Sequence, residues 1–123
     1  MKNQSNIKQT ALYCRTAQRS YFAIESQKSK LIAYAKSNGF ENLTLYVDDG
    51  FSGVSGNRPA FRELMAQIKA GTVATVLTVS MDRISRNVRY AKPWIRELEK
   101  YDVDFISMDN YPLDLLQLSG GAK

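Results

Sequence analysis

The stretch "VATVLTV" at residues 73–79 decides the class of fold. It is uninterrupted, apolar and rich in β-branched side chains, which is typical of a parallel strand buried on both faces. A strand of this kind needs helices on either side of its sheet to cover it. The sequence supplies them, because strand and helix patterns alternate along the chain with little filler between them. The chain is therefore predicted to be an α/β domain.

Three further segments are also predicted to be short strands. They are "TALYC" at residues 10–14, "LTLYV" at residues 43–47 and "DFISM" at residues 104–108. Strands that alternate with helices form βαβ units, whose strands run parallel. We expect a three-layer βαβ sandwich around a mainly parallel sheet of at least four strands.

Three helices are expected between these strands. The first is expected to end near Gly39, the second to begin at Pro59 and end near Gly71, and the third to span about residues 84–101. Their inward-facing positions are Ile24, Leu31, Ile32 and Ala35, then Phe61, Leu64, Met65 and Ile68, then Val88, Ala91, Ile95 and Leu98.

Composition limits the class of protein and the chemistry open to it. The 123 residues, 44% hydrophobic and 24% charged, are expected to form one soluble domain. No apolar run is long enough to span a bilayer and the first residues do not resemble a signal peptide, so a cytoplasmic location away from membranes is expected. One cysteine and no histidine exclude an internal disulfide, disfavour zinc, and remove histidine as a general base. Catalysis would depend on carboxylates, hydroxyls, lysines and arginines.

Polar residues cluster where the predicted strands end, and this is the edge at which parallel sheets bind ligands. The net charge of +5 favours an anionic partner, with nucleic acid the usual candidate. Two adjacent carboxylates, Asp48 and Asp49, make only a weak magnesium signal. The residues that follow the first three strands are Arg15, Thr16, Gln18 and Arg19, then Asp48, Asp49, Ser52, Ser55 and Arg58, then Ser80, Asp82, Arg83, Arg86 and Asn87.

Arginines at this edge favour a phosphate site. Arg83 and Arg86 are three residues apart at the predicted start of a helix, where the helix dipole disfavours cations. An anion would compensate, either Asp82 within the chain or a DNA phosphate outside it. The alternative is that the arginines only pair with neighbouring aspartates in a surface network. Four arginines beside a Gly/Ser-rich loop favour the phosphate site.

Three motifs carry a resemblance to a known family: "YCRTA" at residues 13–17, "DDGFSG" at residues 48–53 followed by "NRPAF", and "MDRISRN" at residues 81–87. In this order and spacing they resemble the catalytic domain of the serine recombinases, the resolvase/invertase family. The resemblance covers residues 10–108 and is closest to the large serine recombinases of transposons, conjugative elements and phages. It implies a site-specific recombinase that cuts and rejoins double-stranded DNA through a 5′-phosphoserine intermediate, without metal or cofactor, as a homodimer or tetramer.

The resemblance also assigns roles to residues. Gln27 matches a glutamine that is frequent in the first helix of the family, and Gly53 lies in the second motif. DNA contacts fall on Arg15, Arg58, Arg83, Arg86 and Asn87. The catalytic positions are Tyr13, Arg15, Ala17, Asp49, Ser52, Arg58, Asp82, Arg83 and Arg86.

One catalytic position departs from the family's pattern, because its nucleophilic serine falls on Ala17. A methyl group cannot attack phosphorus. Three explanations stay open: a neighbouring hydroxyl, Ser20 or Thr16, substitutes for the serine; the protein is a naturally inactive relative; or Ala17 is an engineered change. Ser20 also lies where an N-cap of the first helix is expected, which favours a structural role.

Several other residues near the motifs have structural explanations. Cys14 alternates away from Tyr13 and is expected in the core, where Trp94 is also expected unless it contacts a second subunit. Ser52 and Ser55 are typical turn residues.

The chain also ends early relative to the family, which usually continues into a long helix and a separate DNA-binding domain. We expect residues 1–123 to be the catalytic domain without these two parts. Two other function classes are weighed against a recombinase: a non-catalytic DNA-binding or assembly module on the same fold, and an unrelated α/β phosphate-binding or signalling domain. The arginine cluster disfavours the last of these.

Overall fold

The computed structural model describes residues 8–52, 57–84 and 88–109. These residues form four strands and three α-helices in alternation. They are β1 (Gln9–Thr16), α1 (Tyr21–Ser37), β2 (Leu43–Asp49), α2 (Pro59–Lys69), β3 (Val73–Thr78), a short 3-10 helix (Met81–Arg83), α3 (Val88–Lys100) and β4 (Asp104–Ser107).

The sheet is parallel throughout, with the strand order β2-β1-β3-β4. β1 pairs with β2 along its length, from Thr10 opposite Leu43 to Thr16 opposite Asp49. β1 and β3 are the two central strands. The uninterrupted apolar pattern of residues 73–79 predicted this position for β3. The α/β class and the parallel four-stranded sheet are confirmed.

Two apolar cores lie on opposite faces of this sheet. Because successive side chains of a strand point to opposite faces, β1 contributes to both. Ala11 and Tyr13 pack in the core covered by α2 and α3. Leu12 and Cys14 pack in the core covered by α1. The three-layer arrangement follows directly from this alternation.

The first two helices have the expected limits. α1 ends at Ser37, and Gly39 follows with a φ of +78°, a left-handed conformation that glycine adopts without strain. α2 begins at Pro59, whose fixed φ and missing N–H suit the first helical position.

The predicted start of the third helix was wrong. Residues 81–83 form a 3-10 helix, Ile84 is a buried turn residue, and α3 begins at Val88. Arg83 therefore does not lie in the first turn of an α-helix, and the dipole argument does not apply to it. Arg86 and Asn87 lie outside the described residues.

No helix in the described ranges is both long enough and apolar enough to cross a membrane.

Candidate active site

Loops that follow β1, β2 and β3 meet around the buried side chain of Arg15. Its guanidinium donates three hydrogen bonds to backbone carbonyls: Nε to Arg83 at 2.9 Å, Nη2 to Asp82 at 2.7 Å and Nη1 to Phe51 at 2.8 Å. Only 2% of Arg15 is exposed. It therefore ties the end of β1 to the loop after β2 and to the 3-10 helix after β3.

Gln27 of α1 holds the backbone of the same residue. Its Oε1 accepts a hydrogen bond from the Arg15 N–H at 3.1 Å, and its Nε2 donates to the Arg15 carbonyl at 3.0 Å. A buried amide that pairs with both backbone groups leaves neither unsatisfied. The glutamine singled out in the sequence thus fixes the point where β1 enters the site.

Arg58 and Arg83 bring two further guanidinium groups to this place. Arg58 is 7% exposed, donates from Nη1 to the Arg83 carbonyl at 3.2 Å, and lies over the Phe61 ring with its Cζ 4.2 Å from the centroid. Burial lowers the pKa of the Arg15 guanidinium, and the charges of Arg58 and Arg83 act in the same direction. Three cations are held close together.

Two hydrogen-bond donors of this arginine cluster lack an acceptor among the described residues. Among the described residues, the buried Nε atoms of Arg58 and Arg83 have no hydrogen-bond partner. The nearest carboxylate oxygen recorded for Arg83, Oδ1 of Asp82, lies 3.9 Å from Nε, which is too far for a hydrogen bond. Among the described residues, the arginine–aspartate network that the sequence left open is therefore represented by this one ion pair, between Arg83 and Asp82. Unpaired guanidinium N–H groups in a positive cluster fit an anionic oxygen.

Asp49 closes the loop that contains Ala17. Its Oδ1 accepts a hydrogen bond from the Thr16 hydroxyl at 2.6 Å and from the Ser20 N–H at 2.9 Å. These two bonds, with the hydroxyl first, hold the pKa of the Asp49 carboxyl below its usual value. Exposed Ala17 lies between the two residues that Asp49 joins.

Both hydroxyls that could replace the missing serine already form hydrogen bonds within the protein. The Ser20 Oγ accepts a hydrogen bond from the Ala23 N–H at 3.2 Å and is the N-cap of α1, as predicted. Thr16 is buried; its Oγ1 donates to Asp49 and accepts from the Gly50 N–H at 3.1 Å. Both hydroxyls are engaged in shaping the loop.

Tyr13 and Asp48 form a buried pair beneath the site. The Tyr13 hydroxyl donates to Asp48 Oδ2 at 2.7 Å, and the ring is fully buried against Phe61. Burial, followed by this hydrogen bond, raises the pKa of the Tyr13 hydroxyl. Tyr13, a catalytic position by resemblance, is fully buried and its hydroxyl binds Asp48.

Asp48 has a role that sequence reasoning missed. Its carboxylate accepts hydrogen bonds from the N–H groups of Ala60 at 2.9 Å and Phe61 at 3.0 Å, in the first turn of α2. The N-cap of α2 is Arg58, whose side chain makes no capping bond. Asp48 therefore caps α2 from the end of β2. The signal was present, because a helix that begins Arg-Pro lacks a capping side chain of its own.

The remaining predicted residues lie as follows. Cys14 is buried in the core covered by α1, and burial raises the pKa of its thiol to about 12. Trp94 packs against the other core between Phe61 and Phe105. Ser52 is half-buried at the edge of the site. Gly53 and Ser55 lie outside the described residues.

No group of three or more potential metal ligands occurs in the parts of the chain that the structure describes. Asp48 and Asp49 point to different partners, the first to α2 and Tyr13, the second to the loop around Ala17. The site is built from guanidinium groups, backbone carbonyls and one loop-closing carboxylate.

The depressed pKa of Asp49 predicts a pH dependence of folding stability. A carboxyl whose pKa is lower in the folded state stabilises the fold above its unfolded pKa, about 3.9, and this contribution is lost as the pH falls through the folded value. We expect the free energy of unfolding to fall below about pH 4, and Asp49→Asn to weaken this dependence. Urea denaturation at several pH values measures both. Asp104→Asn, which makes the same chemical change at an exposed carboxylate of β4, is the control. Identical profiles for the parent and Asp49→Asn would contradict the role of Asp49.

Comparison with known proteins identifies the family to which the chain belongs. The chain belongs to the family described as the resolvase N-terminal domain, whose model matches residues 10–120. The N-terminal catalytic domain of TP901-1 integrase is 31% identical, with a TM-score of 0.78, and the match covers 91% of this chain and 90% of that one. A resolvase family site-specific recombinase from Streptococcus pneumoniae is 26% identical, with a TM-score of 0.73 and coverage of 94% and 85%.

A curated phage protein is also similar. The uncharacterized immunity region protein 3 of Bacillus phage phi105 is 27% identical over 75 residues, which are 58% of this chain and 92% of that protein. Together with the parallel sheet, these matches give the chain the fold of a serine recombinase catalytic domain and confirm the resemblance drawn from its three motifs.

Proposed function

We propose that this chain is a site-specific DNA recombinase domain that holds double-stranded DNA at its arginine cluster but does not cleave it. The observation that carries the proposal is a contrast within one site. The positively charged cluster retains unpaired, buried N–H groups on Arg58 and Arg83, whereas the loop beside it presents a methyl group at Ala17.

The site lacks the attacking oxygen of the family's reaction. In the family's reaction a serine Oγ attacks phosphorus, the P–O3′ bond breaks, and a 5′-phosphoserine ester and a free 3′-hydroxyl result. The oxygen of the attacking group must be free to approach phosphorus. Ala17 has no such oxygen, and the hydroxyls of Thr16 and Ser20 hold the loop and the start of α1. This supports a DNA-binding or assembly role over cleavage.

The arginines divide into two tasks under this proposal. Arg15 keeps the loops in place, because its described hydrogen bonds go to three carbonyls. Arg58 and Arg83 are proposed to hold a phosphate, because the Nε of each has no hydrogen-bond partner among the described residues. Arg86 and Asn87 follow Arg83 in the third motif and are proposed to extend the same contact. Assembly as a homodimer or tetramer belongs to the same proposal by family membership.

Binding is tested by the salt dependence of DNA affinity. Each phosphate contact changes the slope of log K against log salt concentration by about 0.9 for duplex DNA. We expect Arg83→Ala to weaken binding of a 30-base-pair duplex several-fold at low salt and to reduce the slope by about one contact. Fluorescence anisotropy at four or five salt concentrations measures both quantities.

The control removes a positive charge elsewhere. Arg96 is exposed on α3, and Arg96→Ala carries the same change in net charge as Arg83→Ala. A slope that is unchanged in Arg83→Ala, or reduced equally in both variants, would contradict a phosphate contact at Arg83.

A further inference from the structure

Two large aromatic side chains are exposed next to the candidate site. Tyr21 is 71% and Phe22 is 83% exposed, and the remaining exposed large hydrophobic residue in the described ranges, Leu45, is 40% exposed. The rings of Tyr21 and Phe22 contact each other edge to face, with centroids 5.9 Å apart and planes at 75°. We call Tyr21 and Phe22 the aromatic pair. Side chains of this size are seldom left in water side by side without a partner.

The aromatic pair is joined to the arginine cluster through a chain of contacts. It forms the first two positions of α1, directly after the N-cap Ser20 whose N–H is bound by Asp49. Arg19, which is exposed, packs against Gly50: a methyl group added at Gly50 would lie 3.4 Å from the Arg19 Cγ. The carbonyl of the next residue, Phe51, accepts a hydrogen bond from Arg15.

Charge indicates what covers the aromatic pair. Its charged neighbours on the side of the site are mostly cations: Arg19 in the loop, then the cluster of Arg15, Arg58 and Arg83. The Asp49 carboxylate between them is bound to the Thr16 hydroxyl and the Ser20 N–H. The acidic residue one turn along α1, Glu25, is paired with Lys28 at 3.0 Å. A second copy of the chain would bring the same positive charge to this surface, which disfavours association there. A polyanion with apolar faces between its charges is complementary to it.

We propose that the aromatic pair packs against the bases or deoxyriboses of double-stranded DNA whose phosphate is held by the arginine cluster. This inference rests on the proposed function. Aromatic side chains bind nucleic acid by stacking on bases or by wedging between base steps, and these apolar contacts neutralise no phosphate and so release no counterions. The pair supplies the apolar part of the contact and the arginines supply the electrostatic part.

The full chain with Tyr21→Ala and Phe22→Ala, singly and together, tests the inference. Both side chains are exposed and alanine favours helix, so the variants keep α1. Each loss is expected to weaken binding of a 30-base-pair duplex roughly fivefold or more, with the salt slope of the parent. Leu45→Ala, which removes an exposed apolar side chain from β2, should leave the affinity unchanged.

Tryptophan fluorescence detects the contact between the aromatic pair and DNA directly. Phe22→Trp adds a fluorophore to a chain that has one tryptophan, and stacking against DNA is expected to quench its emission on binding. Leu45→Trp is the matched control and should show no quenching. Parent-like affinity in the double alanine variant, or binding of Phe22→Trp without quenching, overturns the inference. So does a change in oligomeric state without a change in DNA affinity, which would make the pair a protein contact.

Failure of the inference and failure of the proposed function give different results. If the parent binds DNA with a salt slope that Arg83→Ala reduces, and the aromatic variants match the parent, the phosphate site stands and the aromatic contact is wrong. If the parent does not bind the duplex at low salt, both are wrong.

Discussion

Ala17→Ser is expected to form a covalent protein–DNA adduct, which under the proposed function the parent chain does not form. The loop around residue 17 is closed by Asp49, which binds the Thr16 hydroxyl and the Ser20 N–H, and residue 17 is exposed, so a serine there would present an accessible Oγ. Restoring a nucleophile to a site whose other parts are intact raises rates by roughly 10⁴-fold or more. DNA from the protein's own genetic locus, a denaturing gel and mass spectrometry of the digested adduct measure the gain.

Gln18→Ser is the matched control, because it places a hydroxyl one residue further along the same exposed loop. It should give no adduct. An adduct from the parent chain, mapped to Ser20 or Thr16, would show that another hydroxyl has taken over cleavage. No adduct from Ala17→Ser, with DNA binding intact, would show that the site lacks more than its nucleophile.

Asp48→Ala is expected to cost about 3–5 kcal/mol of folding free energy, the largest stability effect that we predict. The substitution leaves the Tyr13 hydroxyl and the N–H groups of Ala60 and Phe61 without their acceptor in a buried place. Unmet donors there cost more than the hydrogen bonds they formed. Urea denaturation, compared at equal m-value, measures the loss.

Tyr13→Phe separates the two parts of this network. It removes one donor and keeps the ring contact with Phe61, so we expect a loss of about 1 kcal/mol. Asp48→Asn should fall between the two, because one amide oxygen still accepts while the NH₂ group faces donors. If Asp48→Ala does not fold, Asp48→Asn is still expected to lose more folding free energy than Tyr13→Phe. A loss for Asp48→Ala no larger than that for Tyr13→Phe would show that Asp48 does not cap α2.

Much of the fold could be predicted from local sequence, and the misplaced start of the third helix shows where such prediction fails. The pattern "VATVLTV" and the positions of Pro59 and Gly39 determined a central strand, a helix start and a helix end through local sterics. The start of the third helix was misplaced. Residues 81–83 form a 3-10 helix whose carbonyls, at Asp82 and Arg83, accept hydrogen bonds from Arg15, 67 and 68 residues earlier in the chain. A pattern read along one segment cannot contain a partner so distant.

The candidate site, like the fold, could be predicted only in part from the sequence. The motifs predicted which residues gather at the carboxyl edge of the sheet, because parallel strands bring their ends together. They did not predict what each side chain binds there. Arg15 binds three carbonyls; Asp49 binds the Thr16 hydroxyl and the Ser20 N–H; and Asp48 caps a helix that begins eleven residues further along the chain.

The sequence by itself determined the α/β class, the place of the site, the positive charge, and the absence of a hydroxyl at residue 17. These are properties of residue types and of their order. The tertiary structure alone decided which polar groups are already satisfied and which are left for a partner. Hydrogen-bond pairing depends on distances between atoms from different elements, and those distances exist only once β1, β2 and β3 lie side by side. For that reason the unpaired Nε atoms of Arg58 and Arg83 and the exposed rings of Tyr21 and Phe22 became visible only in the folded chain.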